Sequence, residues 1–190
     1  NWERFAVTAG GALPLPVMGV YKPLSNAFYD DLILRTRGKL GTELVPMKRV
    51  SAWMVEQKGR AKAAALAVDQ RPLDPKKAWW MEWMGQETAM HFGLEAFARK
   101  FDMPVVFFGV RKAPGKPRGY WEVHYELITD SPTEWPKGAL LKATYDRLET
   151  QLREVPANWL WSHTRWKHSR PEGVPLNVVE VPVTGAVEAT

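Results

Sequence analysis

Residues 155–167 read Val-Pro-Ala-Asn-Trp-Leu-Trp-Ser-His-Thr-Arg-Trp-Lys, and this stretch constrains the chain more than any other. Trp159, Trp161 and Trp166 stand with His163, Arg165 and Lys167 inside nine residues. Tryptophan is hard to bury completely, and cations beside it need solvent or anions. Two readings follow. One is an aromatic-anchored helix end with a basic rim. The other is an anion-facing edge at a membrane or a phosphorylated lipid.

Composition narrows the choice. The 190 residues suffice for one domain with a real core, and 45% apolar with 25% charged residues marks an ordered globular chain. The net charge of +5 favours an acidic partner: nucleic acid, an anionic membrane or an acidic carrier protein. Ten tryptophans tilt this toward lipid, because the indole ring prefers the boundary between apolar and wet phases. No nucleic-acid-binding motif is present, so no nucleic-acid partner is expected. The absence of cysteine excludes disulfides and thiolate chemistry. No run of eighteen apolar residues occurs, so this stretch holds no spanning helix or signal peptide. The chain opens at Asn1 without methionine and reads as a piece of a longer protein.

Apolar spacing predicts the elements. Trp2, Phe5, Ala6 and Ala9 predict a helix over 1–12, broken by Gly10, Gly11, Pro14 and Pro16. Residues 17–21 read as a buried strand. Residues 22–26 form a turn, with Ser25 or Asn26 capping a helix over 27–37 that points Phe28, Leu32 and Ile33 inward and stops at Gly38. A strand over 43–46, a helix over 51–59 and a strand over 63–68 follow. Residues 70–87 read as a long loop and 88–101 as a helix. Residues 104–110 are the clearest buried strand. Residues 119–128 alternate, with Trp121, Val123, Tyr125 and Leu127 on one face and Glu122, His124 and Glu126 on the other. Leu140, Leu141, Thr144, Tyr145, Leu148 and Leu152 mark an amphipathic helix ending before Pro156. The expected class is α/β, a mostly parallel mixed sheet flanked by helices. One domain is expected over 1–173, with a loose tail over 174–190.

Four pieces carry a resemblance. They are Asn1-Trp2-Glu3; Tyr21-Lys22-Pro23-Leu24-Ser25-Asn26 leading to Arg35-Thr36-Arg37-Gly38; Val68-Asp69-Gln70; and Trp159-Leu160-Trp161 with His163, Arg165, Trp166 and Lys167, followed by Arg170-Pro171. In this order they resemble the bacterial lipid A biosynthesis (lauroyl/myristoyl) acyltransferases, within the glycerolipid-type acyltransferase superfamily. The resemblance covers residues 1 to about 173. It implies a glycerolipid-acyltransferase-like fold. It also implies transfer of a fatty acyl chain from an acyl carrier protein thioester to a hydroxyl of a phosphorylated glycolipid, a lipid A precursor. The implied place is the cytoplasmic face of the inner membrane of a Gram-negative bacterium, with an anchor upstream of Asn1.

The same resemblance implies the site. The family's dyad is a histidine, four residues and an acid. Glu3 matches the acid, and the histidine would stand three residues before Asn1, so this stretch alone is expected to be inactive. An imidazole takes the acceptor proton as the hydroxyl attacks the thioester, and the carboxylate orients it. Arg37 matches an arginine used near the acceptor, and Asp69 matches the acid at a strand end; with Glu3 they form the expected catalytic set. Asn1, Lys22, Arg35, Gln70, Arg71, Arg165 and Lys167 are the expected substrate-binding residues. Arginine grips phosphate through bidentate hydrogen bonds. Lys22 replaces an arginine common in the family, which keeps charge and loses the fork. Arg165 and Lys167 are expected near anionic head groups.

Read without the family, the same residues have plainer roles. Glu3 is a first-turn acid favoured by the helix dipole, Arg35 and Arg37 are helix-end cations, and Asp69 is a turn former. His91 and Glu95 stand four apart on the expected helix, but no further His or Cys lies at ligand spacing. No metal is expected, and no cofactor beyond the acyl donor. His91 reads as structural and His124 as solvated. The Trp79-Trp80-Met81-Glu82-Trp83-Met84 run lines an acyl-chain groove, dips into a membrane or covers the core. An acyltransferase acting on another membrane lipid, and a non-catalytic lipid-surface binding protein of the same fold, remain alternatives.

Overall fold

A computed structural model of the chain describes residues 2–182. The protein is α/β, and its chain divides into two compact units, Asn1–Ala67 and Val68–Thr190.

The first unit opens with helix α1 (Trp2–Ala12), followed by β1 (Val17–Tyr21), α2 (Ala27–Gly38), β2 (Thr42–Pro46), α3 (Val50–Glu56) and β3 (Ala63–Ala65). The strands form a parallel sheet in the order β2-β1-β3, with Val17 opposite both Thr42 and Ala63. Its core comprises Phe5, Ala9, Val17, Met18, Val45, Val50, Trp53 and Met54. Gly10 is where α1 touches the β2 entry. Its N–H donates to Thr42 Oγ1 at 3.0 Å, and a Cβ there would lie 2.2 Å from the Thr42 nitrogen. Asn26 caps α2 as expected, its side-chain oxygen accepting from the Phe28 and Tyr29 N–H groups at 3.0 and 3.3 Å. The inward face predicted for α2 is corrected: Phe28 is 66% and Leu32 43% exposed, and the helix has no fully buried residue. Helix α2 packs on α1 and β2 without burying any residue completely, so helical spacing alone did not decide which residues are covered.

The second unit contains β4 (Trp79–Trp83), β5 (Gln86–Met90), α4 (Gly93–Phe101), β6 (Val105–Lys112), β7 (Trp121–Thr129) and α5 (Ala139–Glu154). Both strand pairs are antiparallel, and the parallel three-stranded sheet belongs to the first unit. The loop expected over 70–87 is corrected. Residues 79–90 form a β-hairpin whose two turn residues, Met84 and Gly85, have φ of 55° and 72°. Two successive positive φ values match the right-handed twist of the strands, which is why two residues suffice. The helix expected from Thr88 begins only at Gly93, because Thr88, Ala89 and Met90 belong to β5. The third strand is also shorter than expected and ends at Ala65.

Helix α5 is the post of this unit. Ala139, Leu140, Leu141 and Tyr145 are fully buried along it. Its N-terminus is capped from α4: Glu95, itself fully buried, accepts from the N–H groups of Gly138 (2.6 Å) and Leu141 (3.3 Å) and from Arg99 Nε (3.0 Å). A carboxylate at a helix N-terminus meets unpaired N–H groups and the positive dipole end. Glu95 is therefore structural, and it shares no helix with His91, which precedes α4. On β7 the polar row faces α5, with Glu126 accepting from Arg147 Nε at 2.7 Å, while Val123, Tyr125 and Leu127 are exposed. The tail is not loose over its described part. Asn177 N and Nδ2 both donate to the Trp80 carbonyl at 2.8 Å, Leu176 bridges to Trp80, and Val179 and Val181 pack on the α4–α5 core. Residues 183–190 lie outside the described residues.

Gly10→Ala should destabilise the protein by about 1–3 kcal/mol through overpacking. Gly38→Ala, with nothing within 4 Å of a new Cβ, should stabilise it by about 0.4–1 kcal/mol. Glu95→Gln should cost about 2–4 kcal/mol by breaking the α5 cap. Urea unfolding of the three variants checks these signs and their order.

Candidate functional site

In the first unit, Asn1 lies outside the described residues, and Glu3 is placed only by its backbone in the first turn of α1. Lys22 is exposed in the turn after β1. Arg35 and Arg37 close α2, where cations oppose the negative dipole end. Arg35 pairs with Asp31 one turn back, both exposed. Arg37 is half-buried.

In the second unit, the structure gathers residues far apart in sequence. Asp69 and Arg71 are half-buried and Gln70 is exposed, in the bend before the hairpin. Three side chains fasten this bend. The Tyr145 hydroxyl donates to the Val68 carbonyl. Arg71 Nη1 donates to the carbonyl of Thr164 at 2.9 Å and to its hydroxyl. His91 hydrogen-bonds the Arg71 backbone. The closing segment thus holds the Asp69 bend directly.

Trp83, on β4, is the hub beneath that segment. Its ring stacks on Trp166 (5.9 Å between centroids, 23°), meets Trp159 at 5.9 Å and stands edge-on to Tyr145 at 5.4 Å. Its Nε1 donates to the Tyr145 carbonyl at 3.0 Å, and Trp166 Nε1 donates to Thr88 Oγ1 at 2.9 Å. Such ring pairs contribute about 0.5–1.5 kcal/mol each beyond their burial. The Trp79–Met84 run is therefore a core strand: Trp80, Met81 and Trp83 are 1–3% exposed. Of the three roles considered for it, covering the core is the one observed.

Arg165 differs from the expected head-group cation. It is 3% exposed, because its backbone N–H donates to the His163 carbonyl at 2.8 Å and the chain folds the side chain inward. Its Nη2 reaches Tyr145 Oη at 3.3 Å and Met90 Sδ at 3.4 Å, and its guanidinium carbon lies 5.9 Å from both the Trp83 and Tyr145 rings. Nε and Nη1 have no partner among the described residues. Lys167 is exposed.

Burial pushes the Tyr145 phenol up to about 12; Arg165 opposes the rise and the charge of Asp69 adds to it. Burial likewise holds His91 below its ordinary value of 6.5, with the Arg165 charge acting the same way and the Arg71 hydrogen bond opposing. Tyr145, His91, Thr164 and Trp83 were not among the expected site residues. The bonds of Trp83 to Tyr145, of Tyr145 to Val68 and of Arg71 to Thr164 span 62 to 93 positions, so no local spacing announces them. Among the described residues no group of His, Cys, Asp or Glu is arranged to hold a metal. No helix among them is long and apolar enough to cross a membrane.

The architecture is that of an α/β protein with a bend, carrying an acid and an arginine, fastened by an aromatic-cationic closing segment. Residues 8–168 match the family model for bacterial lipid A biosynthesis acyltransferases, and the chain belongs to that family. It is thus an acyltransferase of lipid A biosynthesis in the general sense, acting between an acyl donor and a lipid A-type acceptor. A comparison with curated proteins gives no match.

A depressed histidine pKa means that the unfolded chain binds more protons near pH 6. Stability contributed by neutral His91 is therefore present above 6.5 and is lost as pH falls below it toward the folded value. Between pH 7.5 and 5.5 the urea midpoint of the wild type should fall further than that of His91→Gln, which keeps a donor for Arg71. Equal falls would show that His91 contributes nothing to this dependence.

Proposed function

We propose that the protein transfers a fatty acyl chain from acyl carrier protein to a hydroxyl of a phosphorylated lipid A precursor, at the cytoplasmic face of the inner membrane. The observation that carries this reading is the family match across residues 8–168. The basic excess of the chain supports it, since both the carrier and the acceptor are anionic.

In the proposed reaction the acceptor hydroxyl attacks the thioester carbonyl. A histidine takes the hydroxyl proton, Glu3 orients that histidine and stabilises the imidazolium, and the carrier thiolate leaves and is protonated. The matched span starts at residue 8, so the role of Glu3 rests on the Asn1-Trp2-Glu3 string. Arg37, with Arg35 and Lys22 as neighbours, binds acceptor phosphate by charge-assisted hydrogen bonds. Asp69 serves the acceptor side, with Gln70 and Arg71 beside it. Exposed Lys167 meets anionic groups at the membrane surface. No metal or redox cofactor takes part in this scheme.

In cells lacking the complete gene, mass spectrometry of lipid A should show loss of one acyl chain, restored by the wild type. Glu3→Ala, Arg37→Ala and Asp69→Ala should each fail to restore it, at wild-type protein levels. An unchanged acylation pattern in the deletion strain would overturn the proposed acceptor, and restoration by Glu3→Ala would remove the dyad.

A further inference from the structure

Arg165 poses a problem that packing alone does not explain. A buried charge without a full set of partners costs several kcal/mol, and an apolar residue of similar volume at such a site is often neutral or stabilising. The Arg165 pocket already has the makings of an apolar one: Met90 and the faces of Trp83 and Tyr145. The chain nevertheless places a guanidinium there, with two of its nitrogens unpartnered among the described residues. Its oxygen partner among the described residues is the Tyr145 hydroxyl, and that hydroxyl donates onward to the Val68 carbonyl, next to Asp69.

The chain of contacts has a direction. A cation donating to a phenol oxygen polarises the O–H, which strengthens the bond that the phenol donates in turn. Arg165 thus tightens the Tyr145–Val68 bond at one end of the bend. At the other end Thr164, the residue before Arg165, accepts twice from Arg71. Adjacent residues of the closing segment therefore hold both sides of Asp69, one through α5 and one directly. The carboxylate of Asp69 and the guanidinium of Arg165 act with opposite sign on the same phenol.

We propose that Arg165 is a positioning residue: through Tyr145, and with Thr164 on Arg71, it clamps residues 68–71 so that Asp69 is held in one place. The purpose of the tryptophan-rich segment is to build the water-excluding pocket in which that clamp is strong. The clamp's place in catalysis rests on the role proposed above for Asp69, but the clamp itself does not. Arg165 touches no substrate in this scheme, which replaces the expectation that it meets anionic head groups.

The test uses the purified full-length enzyme with lauroyl- and myristoyl-acyl carrier protein as donors and a dispersed lipid A precursor as acceptor. Arg165→Met fills the pocket without charge, Arg165→Lys restores a charge, and Tyr145→Phe removes only the hydroxyl. Amide hydrogen exchange over residues 68–71 is followed beside kcat and KM. Arg165→Met and Tyr145→Phe should each speed exchange in that bend and lower kcat about ten- to a hundred-fold with little change in KM, as expected when a reacting group is misplaced. Arg165→Lys should recover part of both.

Wild-type exchange over 68–71 in Arg165→Met and Tyr145→Phe overturns the clamp. A raised KM at unchanged kcat and unchanged exchange also overturns it, because Arg165 would then bind substrate. If Arg165→Met does not fold, Tyr145→Phe decides by the same two readouts. Faster exchange at undiminished kcat, together with full activity of Asp69→Ala, supports the clamp and removes the catalytic role of Asp69 instead.

Discussion

Tyr145 holds the second unit together, because each of its polar side-chain and carbonyl contacts reaches a different distant segment. Its hydroxyl donates to Val68 and accepts from Arg165, its carbonyl accepts from Trp83, and its ring stands edge-on to the Trp83 ring. The residue is fully buried, so none of these bonds competes with solvent. The bend at Asp69, the β4–β5 hairpin and the closing segment all take their positions from one side chain on α5. Helix α5 in turn is anchored by Glu95, whose buried carboxylate serves its first N–H groups.

This arrangement explains why the closing segment mixes tryptophan with cations. The indoles of Trp159 and Trp166 cover Trp83 and exclude water, while the polar edge of Trp166 still finds Thr88. Inside that cover a hydrogen bond from a charged donor is stronger than it would be in water. The cations then divide by exposure. Arg165 is turned inward as part of the scaffold, while Lys167, two residues on, faces solvent. Arg170 lies beyond both and forks onto Glu87 at 3.0 and 3.1 Å, tying the segment to β5 from outside. Neither of the first two readings of the segment describes it whole: it is a scaffold with one outward charge.

Under the role proposed for Asp69, such a scaffold has a physical use. Acyl transfer to a hydroxyl depends on holding the acceptor, the base and the thioester within a fraction of an ångström of reacting geometry. An acid in a bend is poorly suited to that unless its backbone is tied. In the second unit the ties come from α5, from His91 just after β5 and from the closing segment, so the bend at 68–71 is fixed from three directions.

Much of this was legible along the chain. Helical spacing marked α1 and α5, Asn26 marked the start of α2, and the run at 104–110 marked β6, because local periodicity and capping act over a few residues. The order of motifs pointed to the family. The β4–β5 hairpin was missed because its turn is Met84-Gly85, where methionine is an unusual residue at positive φ and hides the turn. The burial of Arg165, the exposure of Phe28 and the anchoring of Asn177 were not legible at all. The sequence by itself determined the class, the family and which residue types were at hand. Only the tertiary structure decided that Arg165 lies against the Trp83 and Tyr145 rings, because that pocket is assembled from β4, β5 and α5, segments whose nearness no local pattern encodes.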